Sequence, residues 1–580
     1  GLFPTTAVGV QGEIGRRIEI TAKNNLCKLN YDKDFLPSFD PAKNRRGNYI
    51  GLGRTFDAVS RLALHLNDPE LKKLRVKLRD ALLSYQEKSG YLGTFPDEGR
   101  RITHLWDVHE MSSVIKSLVT DYQCWNEVRS RDAAVRMVDY IIARYDTIPK
   151  GNMNDSVDNF ASMEEFEQAV LRIAQATGND KYWQFIRDKR ETPPWISPIV
   201  IGRTTGILGH TTAYLERNIA QLSLYRICGD TKLLAAPYRA LDFILNGEGM
   251  AVTGATSQSE IWTNDQDGRG ELGEVCAVAN EIDFFDSLLR LEKKGVYGDL
   301  MERAIFNSLF ASQSPDGRKL RYYTPFEGPR IYFPADTYCC PGIFRRVVSE
   351  LPQMIYYRSE QGIVINLYTA SKLQTKLPSG NNLTLKQETD YPNSGKIIIT
   401  ISLDQPEQFA IEFRVPHFAS GMTTMVNGQK TSGSITPVTF GKVERLWKNG
   451  DQLELSIPLA WRLVKGRQRQ AGRVCLMRGP VVYTLNPEEF PQLKGLDAAE
   501  VGRYYINPAS IGKLLPDSTI RPHGTAVEVQ LGIPGGGLDF SNGFRVMFRE
   551  FPDPDATCTY FKLRDFSPAV DDSLFNSKTY

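Results

Sequence analysis

Two adjacent cysteines, Cys339 and Cys340, precede a Pro-Gly pair and an apolar pattern that predicts a helix over 343–356. An earlier segment carries a Glu-x-Cys motif, Glu274 and Cys276, also at the predicted start of a helix. Three thiols and one carboxylate form a donor set that suits zinc, which prefers four such ligands in a tetrahedron. A turn that ends in Pro-Gly lets neighbouring cysteines face one ion. The alternatives are two buried thiols or a disulfide between the neighbours.

Such a cluster permits two roles, and the residue pattern leaves both open. A zinc ion with four protein ligands is normally structural. A thiolate held beside zinc is also deprotonated and therefore nucleophilic, so that one of the cysteines could attack a carbon atom.

Other side chains are candidates to act beside the thiols. Glu260 lies in a loop two residues before Trp262, and an apolar wall raises the pKa of a carboxyl group, which favours a general acid. His109 and His210 lie where predicted helices begin, and Tyr322 is the first residue of a Tyr-Tyr pair. Each has a plainer interpretation, as a solvated glutamate, two hydrogen-bonded core histidines and a packing tyrosine.

Hydrophobic periodicity and Gly, Asn and Pro stops predict the elements that position these residues. Helices are predicted over 55–65, 70–85, 107–125, 130–145, 160–177, 181–188, 211–227 and 231–245. Two of the helix pairs share similar turns, Thr-Gly-Asn-Asp and Cys-Gly-Asp-Thr. Repeated helical hairpins with almost no strand signal predict a closed α/α toroid, whereas an open solenoid would show a more regular period.

After residue 356 the pattern changes to short strands separated by Gly, Asn, Pro and Ser turns, which is typical of antiparallel sandwiches. Strands are predicted over 362–368, 395–401, 409–415 and 452–457, and a second β-rich unit begins at residue 472. The chain is therefore divided into a helical domain over 1–358, a β-sandwich over 359–466 and a second β-sandwich over 467–580.

Composition limits the classes of partner. The 580 residues include 70 Lys and Arg against 68 Asp and Glu, and this balance gives no support for a nucleic-acid or membrane-surface protein. No apolar run approaches the roughly 18 residues of a membrane span. Eight cysteines in a chain of this length do not form a disulfide framework. The chain opens without Met, and we expect a processed end from which an export signal could have been removed.

A series of short motifs runs along the chain. They are Gly90-Tyr91-Leu92-Gly93-Thr94, His109-Glu110, Gly209-His210, Val252-Thr253-Gly254, Ser259-Glu260, Glu274-x-Cys276, Cys339-Cys340-Pro341, Arg346 and Arg478-Gly479-Pro480-Val481-Val482-Tyr483. In this order the motifs resemble glycoside hydrolase family 127, the β-L-arabinofuranosidase-like enzymes. The resemblance covers most of the chain, and the combination of Glu-x-Cys with Cys-Cys-Pro is its specific part.

The resemblance implies a fold, a cofactor and a set of site residues. The implied fold is a catalytic (α/α)6 barrel followed by two β-sandwich domains. The implied zinc ligands are Glu274, Cys276, Cys339 and Cys340. The implied catalytic residues are Cys339 as nucleophile and Glu260 as acid/base, and the implied substrate-binding residues are His109, His210, Tyr322 and Arg346.

The sequence also departs from the family pattern. Met163 replaces a histidine that contacts the sugar, Gly342 and Ile343 follow Cys-Cys-Pro in place of Pro-Asn, and Arg345 is added beside Arg346. A methionine suits a missing hydroxyl and an arginine suits a carboxylate. We therefore hold two substrates open, a β-L-arabinofuranoside and the 5-deoxy, carboxylated L-sugar of pectin, aceric acid.

The predicted function is that of a retaining exo-glycoside hydrolase that releases a terminal L-furanosyl sugar from pectic, plant cell-wall oligosaccharides with bound zinc. Two alternatives are a non-catalytic carbohydrate-binding protein with structural zinc and a polysaccharide lyase that uses Tyr322 and His210 on a uronate. Glycan degradation favours the periplasm or the cell exterior, whereas thiolates that need protection from oxidation also allow the cytoplasm. The sequence indicates no oligomeric state.

Overall fold

The structure is a computed structural model of the chain. It describes residues 1–43, 45–97, 100, 107–145, 165–189, 194–431, 435–536 and 540–575, and all structural statements refer to these residues. The predicted helical turn over 160–164 and the substitution at Met163 lie outside the described residues.

The first part of the described chain is helical. In chain order the α-helices are α1 (Gly12–Ile20), α2 (Leu52–His65), α3 (Pro69–Tyr85), α4 (Asp107–Trp125), α5 (Val128–Tyr145), α6 (Phe166–Thr177), α7 (Asp180–Lys189), α8 (Thr211–Cys228), α9 (Ala235–Asn246), α10 (Val275–Glu292), α11 (Gly295–Ala304), α12 (Cys339–Glu350) and, near the other end, α13 (Ala498–Val501).

The helices that carry the candidate site residues contact one another in a cycle. Helix α2 packs on α4, α4 on α6, α6 on α8, α8 on α10, α10 on α12, and α12 returns to α2. The intervening helices α3, α5, α7, α9 and α11 each pack on members of this cycle from outside it. Because a helix in such a cycle has neighbours on most sides, almost every side chain of α2 and α12 is buried. The ends of these helices are thereby brought to a common centre.

Most predicted helix boundaries lie within three residues of the observed ones, and two predictions were wrong. The segment predicted as one helix over 231–245 is a 3-10 turn, Thr231–Leu234, followed by α9. Pro237 lies in the first turn of α9, where its missing N–H costs no hydrogen bond. The chain therefore changes from one helix type to the other just before that proline.

The second correction concerns the helix predicted over 343–356. Helix α12 begins at Cys339 and is followed by the 3-10 turn Leu351–Met354 and by a strand. Pro341 and Gly342 do not form a turn ahead of the helix but lie in its first turn, which tolerates proline. The two cysteines are consequently the first two residues of a helix.

Strands follow the helical part. They are β1 (Val8–Val10), β2 (Ser257–Gln258), β3 (Ile261–Trp262), β4 (Tyr356–Arg358), β5 (Gly362–Ile365), β6 (Ser371–Lys376), β7 (Asn382–Thr389), β8 (Lys396–Leu403), β9 (Glu407–Val415), β10 (Thr423–Val426), β11 (Gln429–Lys430), β12 (Thr439–Trp447), β13 (Gln452–Ser456), β14 (Trp461–Lys465), β15 (Arg473–Arg478), β16 (Val481–Leu485), β17 (Tyr505–Ile506), β18 (Leu515–Pro516), β19 (Thr525–Gly532), β20 (Phe544–Glu550), β21 (Tyr560–Lys562) and β22 (Ala569–Val570).

These strands form three larger sheets and one hairpin. The first sheet has the order β1-β6-β7-β8-β13-β10-β11 and the second the order β12-β9-β5-β4. The third has the order β16-β20-β19-β17-β21-β15-β14-β22, with β18 beside β19, and β2 pairs with β3 alone. Alternating burial along β7 and β8 shows that one face of the first sheet is covered and the other faces solvent.

The pairing of the strands changes two of the predicted domain boundaries. Strand β1 pairs with β6, so the first residues of the chain belong to the first sheet and not to the helical domain. Strand β14 pairs with β15 in the third sheet, which places the second boundary before residue 461 and not after 466. Both boundaries are set by backbone hydrogen bonds between segments that are distant in sequence, and local pattern does not report such bonds.

Helix α11 ties both β-rich parts to the helical part. Arg414 of β9 is fully buried and pairs with Asp299 and Glu302 of α11. Arg303 of the same helix donates to both carboxylate oxygens of Asp572, at 2.8 and 3.1 Å. Buried arginines with bidentate or double partners hold a geometry firmly, so these pairs fix the three parts against one another.

Candidate active site and metal centre

The predicted metal ligands come together at the adjoining ends of two helices. Glu274 is the residue before α10 and Cys276 lies in the first turn of that helix, while Cys339 and Cys340 open α12. The four ligand atoms lie within 4.8 Å of one another, and all four residues are buried. The Cys276 and Cys340 sulfurs are 3.3 Å apart, and Cys340 Sγ lies 3.8 Å from Glu274 Oε1. These residues could therefore hold one metal ion.

The donor set and its spacing fit a tetrahedral ion. With metal–sulfur bonds of about 2.3 Å, the edges of a tetrahedron measure about 3.8 Å, close to the observed separations. All eight cysteines are free, which excludes the disulfide alternative for Cys339 and Cys340. Thr212 Oγ1 donates to Glu274 Oε2 at 3.1 Å, and this hydrogen bond fixes the orientation of the carboxylate.

The position of the thiols at helix N-termini favours negative charge. The first N–H groups of a helix have no partner inside it, and the helix dipole is positive there. Burial raises the pKa of the Cys339 thiol, but hydrogen bonds from Cys276 and Cys340, the charge of Arg54 and a hydrogen bond from Tyr322 outweigh it and hold the pKa well below its ordinary value. Cys339 is also 8% exposed whereas Cys340 is 0%, so Cys339 is the thiol that a substrate can reach.

Glu260 lies on a strained turn opposite Cys339. It is the second residue of the two-residue turn between β2 and β3, and both turn residues have positive φ, 48° at Ser259 and 67° at Glu260. Turns of this kind prefer Asn and Gly, and each unfavourable residue costs on the order of 1–3 kcal/mol. Strain of this kind at a partly exposed carboxylate is typical of a functional position.

Tyr322 connects Glu260 to Cys339. Its hydroxyl donates to Glu260 Oε1 at 2.5 Å and lies 3.5 Å from Cys339 Sγ. The two contacts share one oxygen atom, so Glu260 Oε1 lies no more than about 6 Å from Cys339 Sγ. In retaining glycosidases the acid/base and nucleophilic groups are about 5–5.5 Å apart. Burial and the neighbouring thiol charges raise the pKa of Tyr322 far above its ordinary value, so the phenol remains protonated.

His210 donates to the other oxygen of Glu260. Its Nδ1 accepts a hydrogen bond from the Ala213 amide at 3.1 Å, which leaves the proton of the neutral ring on Nε2. That Nε2 lies 3.5 Å from Glu260 Oε2. Burial raises the pKa of Glu260, but the hydrogen bonds from His210 and Tyr322 outweigh this effect, and the net pKa is below the ordinary value.

The expected tryptophan wall beside Glu260 is absent from the structure. Trp262 is fully buried and packs edge-on against Tyr214 and Phe243. The groups that surround the carboxylate are a histidine and a tyrosine, so the predicted rise in pKa from an apolar neighbour was wrong. Residues two apart share a face in a regular strand, but Glu260 lies in the turn with positive φ, where this alternation does not hold.

Sequence reasoning missed Arg54 of α2, the cation nearest to the thiols. Its guanidinium donates to Cys276 Sγ at 3.5 Å and to the Cys339 carbonyl at 3.4 Å. It also pairs with Glu165 at 2.5 Å and lies 3.3 Å from His109 Nε2, which accepts because arginine only donates. Arg54 lay one residue before the predicted helix over 55–65, whereas the observed helix α2 begins at Leu52 and includes it.

The structure places the two arginines of α12 away from the thiols. Arg345 is fully buried and donates to Asn25 and to the Asp336 carbonyl, so it adds no charge beside Cys339. Arg346 donates to Asp283 at 2.6 Å and is not brought together with Glu260 and the thiols. Gly342 faces α2, where an added Cβ would lie 3.2 Å from Arg54 Cβ. These residues pack helices together, and the expectation that they shape the substrate pocket was wrong for Gly342 and Arg345.

His109 is buried beside Arg54 and packs against the ring of Tyr49 at 4.4 Å. Of the predicted site residues, the structure thus gathers seven into one group: Glu274, Cys276, Cys339, Cys340, Glu260, Tyr322 and His210. His109 is linked to this group by its contact with Arg54.

Within the described chain, no helix has the length and apolar content required to cross a membrane.

Comparisons with known proteins identify the family of this chain. The family model described as the catalytic domain of β-L-arabinofuranosidase GH127 matches residues 30–353, and that of the GH127 middle domain matches 362–459. A non-reducing end β-L-arabinofuranosidase of Bifidobacterium longum is 26% identical over an alignment of 506 positions, and the match covers 75% of this chain and 74% of that protein.

Solved structures show the same fold. A GH127 β-L-arabinofuranosidase from Geobacillus stearothermophilus T6 superposes with a TM-score of 0.78 at 19% identity, covering 96% of this chain and 100% of that one. A second GH127 β-arabinofuranosidase, BT3674, has a TM-score of 0.79 at 19% identity and 98% coverage of both chains. Since the catalytic-domain model alone matches more than half of the sequence, this chain belongs to the β-L-arabinofuranosidase family GH127 and is a glycoside hydrolase.

Proposed function

We propose that the enzyme is a retaining exo-β-L-arabinofuranosidase that releases terminal L-arabinofuranose from plant cell-wall oligosaccharides. The observation that carries the proposal is the hydrogen-bonded series Glu260–Tyr322–Cys339. It places a carboxylate at a distance suited to two-step displacement from a thiol that is largely buried but still 8% exposed. The cycle of helices corresponds in this proposal to an (α/α)6 barrel, and the three sheets to two β-sandwich domains.

In the first step the Cys339 sulfur attacks the anomeric carbon, and a sulfur–carbon bond replaces the bond to the leaving oxygen. Glu260 donates its proton to that oxygen, which departs as an alcohol. In the second step Glu260 accepts a proton from water, the water oxygen bonds to the same carbon, and the thiolate leaves. Two inversions give overall retention of configuration.

Tyr322 and His210 set the protonation of Glu260 in this proposal. Both donate to the free carboxylate and favour its ionised form, which is the form that activates water. A sugar bound over the carboxylate takes up one of these donors and raises its pKa, so that it can carry the proton needed in the first step. With Glu260 protonated, the Tyr322 proton is free to turn to the Cys339 thiolate.

We propose zinc as the ion of the Glu274, Cys276, Cys339 and Cys340 cluster. When bound, it would keep the thiols deprotonated and fix their positions. Loss of one ligand, in Glu274→Ala or Cys340→Ser, is expected to reduce bound zinc and to lower the melting temperature, because binding energy at such a site is also folding energy. Metal analysis and thermal unfolding measure both, and Cys27→Ser, a thiol outside the cluster, is the matched control. A full zinc content in both cluster variants would contradict the assignment.

Of the two substrates, the arabinofuranoside is the better supported. The carboxylated sugar was considered because an arginine near the thiols could bind its carboxylate. In the structure, Arg345 instead donates to Asn25 and to the Asp336 carbonyl. His210 and His109 remain proposed sugar contacts. The experiment is to incubate the enzyme with aryl β-L-arabinofuranoside and to follow arabinose release and its anomeric configuration by NMR. Retained β configuration is expected. An inverted product would overturn the two-step mechanism, and an unsaturated ultraviolet-absorbing product would indicate a lyase instead.

A further inference from the structure

A basic cleft opens between the helical part and the third sheet. It has a volume of about 420 Å³, within the range of ligand sites. Five of the residues that line it are cationic, Arg269, Arg469, Arg473, Arg503 and Lys562. Only two acidic residues, Asp267 and Glu327, line the same cleft. A cleft with this excess of cations suits an anionic ligand.

Part of the positive charge is used to join the domains. Arg473 of β15 pairs with Glu327 at 2.8 Å. Arg469 lies 3.1 Å from Asp267 and 3.2 Å from Asp265. Arg269 also donates to Asp267, at 2.9 Å. Three of the five cations therefore have carboxylate partners that account for their positions.

The other two cations are not balanced in this way. Among the described residues, neither Arg503 nor Lys562 has a carboxylate oxygen within 4 Å. Lys562 Nζ lies 5.9 Å from the centre of the Tyr505 ring, and the Arg503 side chain is exposed. A plain solvated surface would scatter such charges, whereas here both line one cleft with three further arginines.

The cleft adjoins the turn that carries Glu260. The Gln258 side chain donates to the Arg269 carbonyl at 3.2 Å, and the Ser259 amide donates to the Glu271 carbonyl at 3.0 Å. The segment 267–271 thus connects the cleft wall directly to the acid/base turn. Because an acid/base residue lies on the leaving-group side of the scissile bond, the cleft lies toward the part of the substrate that departs.

We propose that this basic cleft binds a carboxylate on the leaving part of the glycan, such as a uronic acid residue, and so selects acidic oligosaccharides. Arg503 and Lys562 supply the free charges, and arginine binds carboxylates with a matched pair of donors. The inference deepens the proposed function, on which its choice of glycosidic substrate rests. Sulfate and phosphate esters offer similar oxygens, and the test separates them from carboxylates.

The test compares two substrates that bear the same terminal arabinofuranose, one on a galacturonate oligosaccharide and one on a neutral arabinan oligosaccharide. The double variant Arg503→Glu/Lys562→Glu is measured against Lys372→Glu/Lys430→Glu, two exposed lysines of the first sheet. We expect kcat/KM on the acidic substrate to fall about tenfold or more in the cleft variant only. Turnover of the neutral substrate should stay within about twofold in both, which also reports correct folding. The milder variant Arg503→Gln should show a smaller fall of the same kind.

Calorimetric titration with trigalacturonate, which has no arabinose to release, tests the cleft without catalysis. Wild-type enzyme should bind it more tightly than inorganic sulfate, and the cleft variant should lose this binding. Equal falls on both substrates, an unchanged acidic substrate, or sulfate bound as tightly as trigalacturonate would each overturn the inference. Absence of arabinose release from both substrates by wild-type enzyme would instead contradict the proposed function, and the titration would still show whether the cleft binds a carboxylate.

Discussion

Helix α12 carries two groups of ionisable side chains, one at each end, and they differ in charge balance. At its start, three thiols and Glu274 lie within 4.8 Å, and the nearest cation, Arg54, is already paired with Glu165. About 10 Å further along, Arg346 pairs with Asp283 at 2.6 Å and lies 3.8 Å from Glu350. Arg61 lies 3.4 Å from Glu350, so two arginines face the two carboxylates of the second group. The first gathers three thiols and a carboxylate as donor atoms, an arrangement that fits the proposed metal site and that the second group does not have.

Replacement of the nucleophile should have the largest effect on rate. In Cys339→Ser the hydroxyl is not ionised at neutral pH, and we expect kcat to fall by about 10⁴-fold or more while the fold is kept. Steady-state kinetics and circular dichroism measure the two properties. Cys27→Ser, which changes a thiol outside the cluster, should keep near-normal kcat. Near-normal turnover by Cys339→Ser would contradict the role of Cys339 as nucleophile, and the start of α12 would then not differ from its other end in reactivity.

Removal of the acid/base carboxylate should have the next largest effect. Glu260→Gln should lower kcat on natural glycans by about 10²–10⁴-fold, because the leaving oxygen is no longer protonated. An aryl leaving group needs little protonation, so its first step should suffer less and an intermediate should accumulate as a burst. Equal losses on both kinds of substrate would argue against this role.

Loss of the Tyr322 hydroxyl should reduce the rate less than either of these changes. Tyr322→Phe removes hydrogen bonds to charged groups at both Glu260 and Cys339, and we expect a fall in kcat/KM of about ten- to hundredfold. Since the Tyr322 hydrogen bond lowers the pKa of Glu260, the limb of the pH–rate profile that reports this carboxyl should move to higher pH. A pH profile identical to that of the wild type would mean that Tyr322 only packs against its neighbours.

The other end of α12 should show the opposite behaviour. Arg346→Met leaves Asp283 without its cation, while Glu350 keeps only Arg61 at 3.4 Å, and should destabilise the fold by about 3–5 kcal/mol. The rate at low temperature should change by less than about threefold, because Arg346 lies apart from the thiols. Denaturant unfolding and kinetics together test this. A large loss of kcat with an unchanged stability would place Arg346 back in the substrate site.

Much of the helical framework and the proposed metal ligand set followed from local pattern. Helix α4 was predicted with both observed ends, and the turns at Gly178 and Gly229 were predicted from residue type, since both glycines adopt positive φ. The four metal ligands were identifiable because no other residues combine three thiols and a carboxylate at two helix starts.

Other features depended on contacts that sequence order does not encode. The start of α12 was missed because Pro341 and Gly342 suggest a turn, although a first helical turn accepts both. Arg345 was expected beside the thiols because it is near them in sequence, but its position on the helix directs it to Asn25. Arg54, the residue that links the thiols to His109 and Glu165, is separated from each of them by more than fifty positions, and its role follows only from how α2 packs.

The most direct test of the account is to trap the covalent intermediate. Glu260→Gln enzyme is mixed with an activated aryl β-L-arabinofuranoside, quenched with acid, digested and analysed by mass spectrometry. The account predicts one pentosyl group on the peptide that contains Cys339, and none when Cys339→Ser is added to the same variant. A pentosyl group on a carboxylate, or no adduct despite continued turnover, would contradict the claim that Cys339 is the nucleophile.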